Sequence, residues 1–416
     1  MRKKRLGTFK SNQASLKGAS KRTFVSWDFL QYRKYAVGTL LMNLGTWMHR
    51  IAQDWLIIEL TGSGIALGII TGLQFAPAIL FSFYGGGLGD RKNKKTVLAI
   101  CSAVISLNSL ALALIVYFGQ QNTILVYTFA LVVGIFSAID MPVRHALMSE
   151  LVGEENVSNA VSLNSVNFNL ARIIGPAVAG LTVSLLGVAA SLTGSALAYG
   201  IFAILILSTR SAKRLTIAAV EKGNLGLRAT LAFVRSSQTL VRAMFIVGTL
   251  AFFGLNFQIT TALIAVNVFS LGAAGYGLLS STTAIGALIA GLVSAHRNSS
   301  VPVKRIATTA LFFGIFQMAA GYSNHIGLYS LMLGLSGMSA LLTTIAANSL
   351  IQHNTPYEIR GKVMGVYTVI FSGSMAFGGP VIGWLADLVD PQNALKIGGL
   401  AIALTSAVIL SMKSRI

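Results

Sequence analysis

Between residues 37 and 60 an otherwise apolar run carries Asn43, Thr46, Arg50, Gln53 and Asp54. Spacings of three and four residues put these side chains on one stripe of a helix. A stripe of this kind cannot face hydrocarbon; it must line a water-filled space or meet other helices. Arg50 and Asp54 stand one turn apart and can pair along the helix. Making and breaking that pair would couple a proton on Asp54 to a change of conformation. The simpler reading is a permanent pair that orients the helix. Glu59 lies near the end of the run and reads as a solvated residue, and His49 as a packed or interfacial histidine.

A second polar face follows further on. Ser158, Ser162, Ser165, Asn169, Arg172 and Pro176 recur at helical spacing, with Arg172 near the middle of its run. Arg172 is a candidate partner for Asp54 or for an anionic group on a substrate. In the second half the polar candidates are Asn256, Gln258, Thr343, Thr344 and Asn348, none of them charged. Ionic chemistry is thus concentrated in the first half. No metal-ligand spacing, nucleotide-binding glycine loop or nucleophile triad appears, which argues against an enzyme, an ATP-driven pump, a metal site or any cofactor.

The elements that must position these groups are membrane helices. The chain has 416 residues, 54% hydrophobic and 11% charged, where a soluble chain carries about 25% charged residues. A surface this poor in charge faces lipid. Apolar runs long enough to span a bilayer recur about twelve times, near 37–60, 65–88, 96–118, 122–143, 160–187, 190–208, 240–267, 274–295, 306–322, 327–350, 363–388 and 393–411. Many are rich in Gly and Ser, which let helices approach closely in lipid.

The net charge of +20 would suggest a nucleic-acid partner in a soluble protein. Here the basic residues cluster in the N-terminal tail and in alternate loops: 89–95, 209–242 and 296–305. The loops between them, near 61–64, 119–122, 188–190, 268–273 and 323–326, carry no Lys or Arg. This asymmetry places both termini in the cytoplasm and accounts for the charge without nucleic acid. Residues 1–35 lack an apolar signal-peptide core and read as a basic cytoplasmic tail, solvated or resting on anionic lipid. The single cysteine, Cys101, forms no internal disulfide.

The long polar stretch at 210–239 divides the spans into six and six. The expected organisation is a tail (1–35), a six-helix bundle (36–209), a cytoplasmic linker (210–239), a second six-helix bundle (240–411) and a short tail (412–416). A weak repeat supports it: Gly175, Pro176 and Gly180 in the fifth span match Gly379, Pro380 and Gly383 in the eleventh. Two equivalent halves with a site between them suit alternating access.

The loop Gly85–Lys95 reads GGGLGDRKNKK. It resembles the major facilitator signature Gly-x-Leu-x-Asp-Arg-x-Gly-Arg-Arg, with Gly86, Leu88, Asp90, Arg91, Lys94 and Lys95 on the pattern and Asn93 in place of Gly. The resemblance implies an all-α major facilitator fold of twelve transmembrane helices in two pseudo-symmetric bundles. It also implies a cytoplasmic gate in which Asp90 meets the N-terminus of the eleventh helix, near Arg360 to Gly365, an electropositive site. Lys94 would pair with an acid at the end of helix four. Asp140 is placed for that, with Arg144 beside it, giving an expected cluster of Asp90, Lys94, Asp140 and Arg144. The fifth span resembles the antiporter signature Gly-x-x-x-Gly-Pro-x-x-Gly-Gly, with Ala171 and Ala179 at two of its glycine positions; an ordinary proline kink is the alternative.

Helix one (Trp-Met-His-Arg-Ile-Ala-Gln-Asp-Trp) together with Asp140-Met-Pro-Val-Arg144 resembles a bacterial branch of the superfamily containing enterobactin-type siderophore exporters and macrolide efflux proteins. There is no Arg in the middle of helix four, so the proton-relay scheme built on that Arg does not carry over. The expected function is proton-coupled export of a small amphipathic organic compound by a monomer in the bacterial inner membrane, with Asp54, Arg50 and Arg172 as coupling groups. Import or facilitated diffusion of a metabolite, and a substrate-free sensor, stand as alternatives.

Overall fold

The computed structural model describes residues 25–91, 93–209, 227–294, 301–356 and 358–412; for residues 82–91, 154 and 227 it describes the backbone alone. The described chain is helical, with twelve long helices: α1 (Leu30–Thr61), α2 (Gly64–Arg91), α3 (Lys94–Tyr117), α4 (Thr123–Val152), α5 (Val157–Leu186), α6 (Val188–Ser208), α7 (Gln238–Asn267), α8 (Ala273–Ser294), α9 (Val303–Gly321), α10 (Ile326–His353), α11 (Arg360–Val389) and α12 (Pro391–Ser411). Ten are long and apolar enough to cross a membrane. The other two are α1, whose polar stripe lowers its hydropathy, and α9, which opens on Lys304 and Arg305. In each of the ten, half or fewer of the residues in the apolar window are buried inside the protein. The remaining apolar faces, Leu107, Ile204 and Leu292 among them, have lipid as their natural partner.

Short turns force neighbouring helices antiparallel. Asn122 starts α4 by accepting from the Leu125 amide at 2.9 Å, and Asp390 starts α12 by accepting from the Asn393 amide at 2.8 Å, both N-caps. Gly62 ends α1 in the left-handed conformation that glycine adopts without strain.

Two boundaries and one helix interior differ from the hydropathy reading. Helix α1 begins at Leu30, so the last residues of the expected tail belong to it; Tyr32 and Tyr35 are buried, and the Tyr32 hydroxyl donates to the Ala160 carbonyl. Lys and Tyr hide this turn from a hydropathy window. Helix α4 continues past 143 to Val152, carrying His145 and Glu150. Helix α7 is interrupted by a π turn at Leu250–Gly254, and a short amphipathic helix, Leu227–Ser236, precedes it within the expected linker.

Within the first six helices α1 packs on α5 and α6, α2 on α4, and α3 on α6 and α4; within the second six α8 packs on α10, and α9 on α10 and α12. The two broadest contacts between the sets are α2 with α11 and α5 with α8, with smaller ones between α1 and α8 and between α7 and both α1 and α2. The two ends of the molecule differ. At the end where α1 finishes and α2 begins, one continuous core draws on both sets, including Ile57, Leu67, Ala179, Ile264, Tyr276 and Leu395. At the other, basic end there are two separate cores: one around Tyr35, Leu98 and Phe202, the other around Leu240, Leu350 and Val363.

Candidate functional site

Between the two sets of helices lies a cavity of about 490 Å³. Its charged residues are Arg50 from α1 and Arg172 from α5; Gln258, Ser280, Thr344 and Asn348 add neutral polar groups from the second half. Trp47, Phe75, Phe168, Phe257, Tyr367 and Phe371 supply aromatic wall. Among the described residues neither Asp nor Glu lines it. Arg50 lies over the rings of Trp47 and Phe75, 5.7 and 5.2 Å from their centroids, as cation–π contacts do. The cavity runs from the middle of α1 and α5 toward the basic end, where Asn348 and Tyr367 lie. A groove of about 670 Å³ between α7, α11 and α12 is larger, but it faces outward and has no charged lining, which suits a lipid tail.

The polar stripe of α1 divides among several partners. Asp54 is buried and does not pair with Arg50; its Oδ2 accepts from the Tyr276 hydroxyl of α8 at 2.9 Å, across the two sets of helices. Gln53 is fully buried, donating to the Val126 carbonyl at 3.2 Å and accepting from Gln74 at 2.9 Å, so it fastens α1 to α4 and α2 rather than facing the cavity. Thr46 meets the Tyr199 hydroxyl at 2.7 Å. His49 meets Ser109 at 2.9 Å, a packed position.

Of the other residues singled out from the sequence, Asn169 returns a bond to the Ser165 carbonyl at 2.8 Å and does not line the cavity. Asn348 does line it and accepts from Gln352 at 2.9 Å. Asn256 has a structural role. Its amide donates to the Phe252 and Ala251 carbonyls of the π turn at 2.9 and 3.3 Å.

The glycine–proline motifs sit at the two joints. A Cβ on Gly180 would run into the Ala273 carbonyl of α8, and one on Gly175 would stand 2.6 Å from Trp47 Cβ. A Cβ on Gly379 would stand 2.8 Å from the Gly68 carbonyl of α2. The prolines Pro176 and Pro380 occupy the same two contacts. The α2–α11 joint is sealed further by Asp387, near the end of α11. Its carboxylate accepts from the amides of Gly64 at 2.6 Å and Ile65 at 3.0 Å and from the Ser63 hydroxyl at 2.7 Å.

Residues 28–416 match the family model described as transmembrane secretion effector. The chain belongs to that family of the major facilitator superfamily. It is similar to the staphyloferrin A transporter of Staphylococcus aureus (strain NCTC 8325 / PS 47), 22% identical over 87% of this chain and 91% of that protein. It is likewise similar to the enterobactin exporter EntS of Salmonella typhimurium (strain LT2), 23% identical over 89% of this chain and 84% of that one. In fold it matches the nucleoside transporter NupG (TM-score 0.75, 13% identity, 92% and 100% coverage). A D-xylose–proton symporter also matches (TM-score 0.70, 13% identity, 91% and 96% coverage). The chain is a multi-pass membrane transporter with the all-α major facilitator fold, and not an enzyme.

The superfamily loop signature falls at the α2–α3 turn. The side chains of Asp90 and Arg91 and the surroundings of Gly86 lie outside the described residues, so the expected meeting of Asp90 with α11 does too. Asp140 and Arg144 pair at 3.0 Å, and Arg144 also reaches Asn43 at 3.4 Å. Lys94 meets Glu150 at 2.7 Å, not Asp140, because α4 is longer than its apolar run and Glu150 is the acid at its true end. Lys95 donates to the Thr209 carbonyl at 2.8 Å, tying α3 to the end of α6. Sequence reasoning missed Tyr276 and Asp387: a Tyr or Asp near a span end reads as an interfacial residue, and nothing local names a partner more than 200 residues away.

Proposed function

We propose that this protein exports a small amphipathic organic compound from the bacterial cytoplasm in exchange for protons, by alternating access. The observation that carries the reading is the unequal division of the core. One end of the central cavity is closed by a core shared between both sets of helices, while at the basic end the cores are separate. Two six-helix bundles, 36–209 and 240–411, rocking about the cavity would exchange which end is shut. The basic loops mark the split end as cytoplasmic, with both termini on that side. The arrangement is then the one that loads substrate from inside, by a monomer in the inner membrane.

Direction rests on the relatives. The family is described by secretion, and the Salmonella relatives are named enterobactin exporters; the Staphylococcus relative is named a transporter of staphyloferrin A. Import or facilitated diffusion has only the shared fold of nucleoside and xylose transporters in its favour.

Asp54 is the coupling group. Ionised, it holds Tyr276 by a charge-assisted hydrogen bond; protonated, it offers a weaker neutral one. The proton on Asp54 therefore biases closure at the far end, with Arg50 and Arg172 as the cations nearest to the translocated compound. At the cytoplasmic face Asp90 would play the converse part, meeting the start of α11 when that end shuts.

The test is flux in liposomes holding a pH-sensitive dye, with a panel of siderophores, macrolides and lipophilic dyes, for wild type and Asp54→Asn. Proton movement driven by one compound and lost in Asp54→Asn supports antiport. Flux without proton movement would leave a facilitator and sink the coupling.

A further inference from the structure

Two guanidiniums line the central cavity, and among the described residues neither has a carboxylate within ion-pair distance. Arg172 has no hydrogen-bond or ion-pair partner among those residues, and Arg50 contacts the π faces of Trp47 and Phe75. The neighbouring acid, Asp54, is outside the lining and bonded to Tyr276. Arginine stays charged at any working pH, and both side chains are only half-buried, lining the cavity, so a compound that displaces water there desolvates them and must offset that cost. The cavity therefore lacks negative charge that its occupant can bring.

The walls narrow the choice further. Flat faces from Trp47, Phe168, Phe257 and Phe371 surround the arginines, so rings can stack between them. Guanidiniums bind carboxylates, or the paired oxygens of other acids, through two parallel N–H donors. We infer that the occupant is an aromatic organic anion with two or more acidic oxygens, held through Arg50 and Arg172 and stacked on the aromatic wall. A cationic compound of the same size meets two like charges and no acid.

This inference rests on the cavity being the transport site, and its test is one of binding, separate from flux. Full-length protein in lipid nanodiscs is titrated calorimetrically with naphthalenedicarboxylate, its dimethyl ester, the matching bis(aminomethyl)naphthalene, and cyclohexanedicarboxylate as the dianion without aromatic rings. The dicarboxylate binds at least about 10-fold tighter than the ester, because bonds to charged groups are the stronger ones, and tighter than cyclohexanedicarboxylate. The diamine does not bind. Arg50→Gln and Arg172→Gln each lower dicarboxylate affinity about 10-fold or more and lower ester affinity less, while circular dichroism spectra and melting temperatures close to wild type report that the variants are folded. Arg172→Lys, which keeps the charge but loses the fork, falls between. Equal affinity for acid and ester, absence of binding across the whole series, or folded Gln variants that bind the dicarboxylate like wild type overturns the inference. Wild-type comparison alone decides if the variants fail to fold. Export of a neutral or cationic compound in the liposome assay would leave the transport reading standing and remove this one.

Discussion

The carboxylate of Asp387 in the last turn of α11 holds the Gly64 amide in the first turn of α2, an acid from one half set on the electropositive helix end of the other. The signature Asp90 stands in the last turn of α2, facing by chain position the start of α11. The two acids are reciprocal: each ends one helix of the α2–α11 pair at the end where the other helix begins. Asp387→Ala removes this cap, an effect of about 1–2 kcal/mol, and shifts the protein toward opening at that end. Electron-spin distances between labels at the exposed positions 124 and 328, one in each half at that end, lengthen in the variant; an unchanged distribution would remove Asp387 from the gate.

Tyr276→Phe keeps the ring and deletes the bond to Asp54. A charge-assisted bond of this kind contributes about 1.5–3 kcal/mol, so closure at that end weakens by a factor of about ten or more. The same label pair reports it, and flux becomes less dependent on the proton gradient. Tyr276→Phe with wild-type coupling shows that Asp54 works without this partner.

Gly180→Val places a side chain where the Ala273 carbonyl and Gly277 now lie. Helices α5 and α8 must part, and small residues no longer permit the close approach. Transport is lost while the protein stays folded, and a cysteine introduced beside Gly277 becomes reactive to a bulky external thiol reagent. A variant that transports normally would show that this joint yields without consequence.

Lys94 and Glu150 are mostly buried, with side-chain exposures of 18% and 10%. Removing either partner leaves a charge at the basic end without its mate and lowers thermal stability more than the removal of an exposed pair, about 0–1 kcal/mol. The swap Lys94→Glu with Glu150→Lys recovers most of the loss in melting temperature. No recovery would mean that the single substitutions act through packing.

Asn256→Ala removes two side-chain hydrogen bonds to π-turn carbonyls, at a cost of about 1–3 kcal/mol. Melting temperature falls, and affinity for cavity ligands is unchanged, since the side chain does not line the cavity. A selective loss of ligand affinity would return Asn256 to the site.

Much of this protein is local and could be read directly. A membrane helix is a run of apolar residues whose backbone bonds close within it, so composition and length determined where the long helices lie and most of their ends to within a few residues. The signature at Gly85–Lys95 and the Gly–Pro pairs likewise announced the superfamily. The misreadings at α1 and α4 came from Tyr, Lys and Glu that continue a helix beyond its apolar part. The roles of polar residues were not local. Five side chains share a stripe on α1, yet Arg50 reaches the cavity, Gln53 is spent on α4 and α2, and Asp54 turns to Tyr276. Helical spacing puts groups on a common face but leaves open what that face meets. Rotation of each helix against its neighbours, set by close contacts such as Gly68 with Gly379 and Gly180 with Gly277, decided which end of the molecule is shut and which charges the cavity keeps.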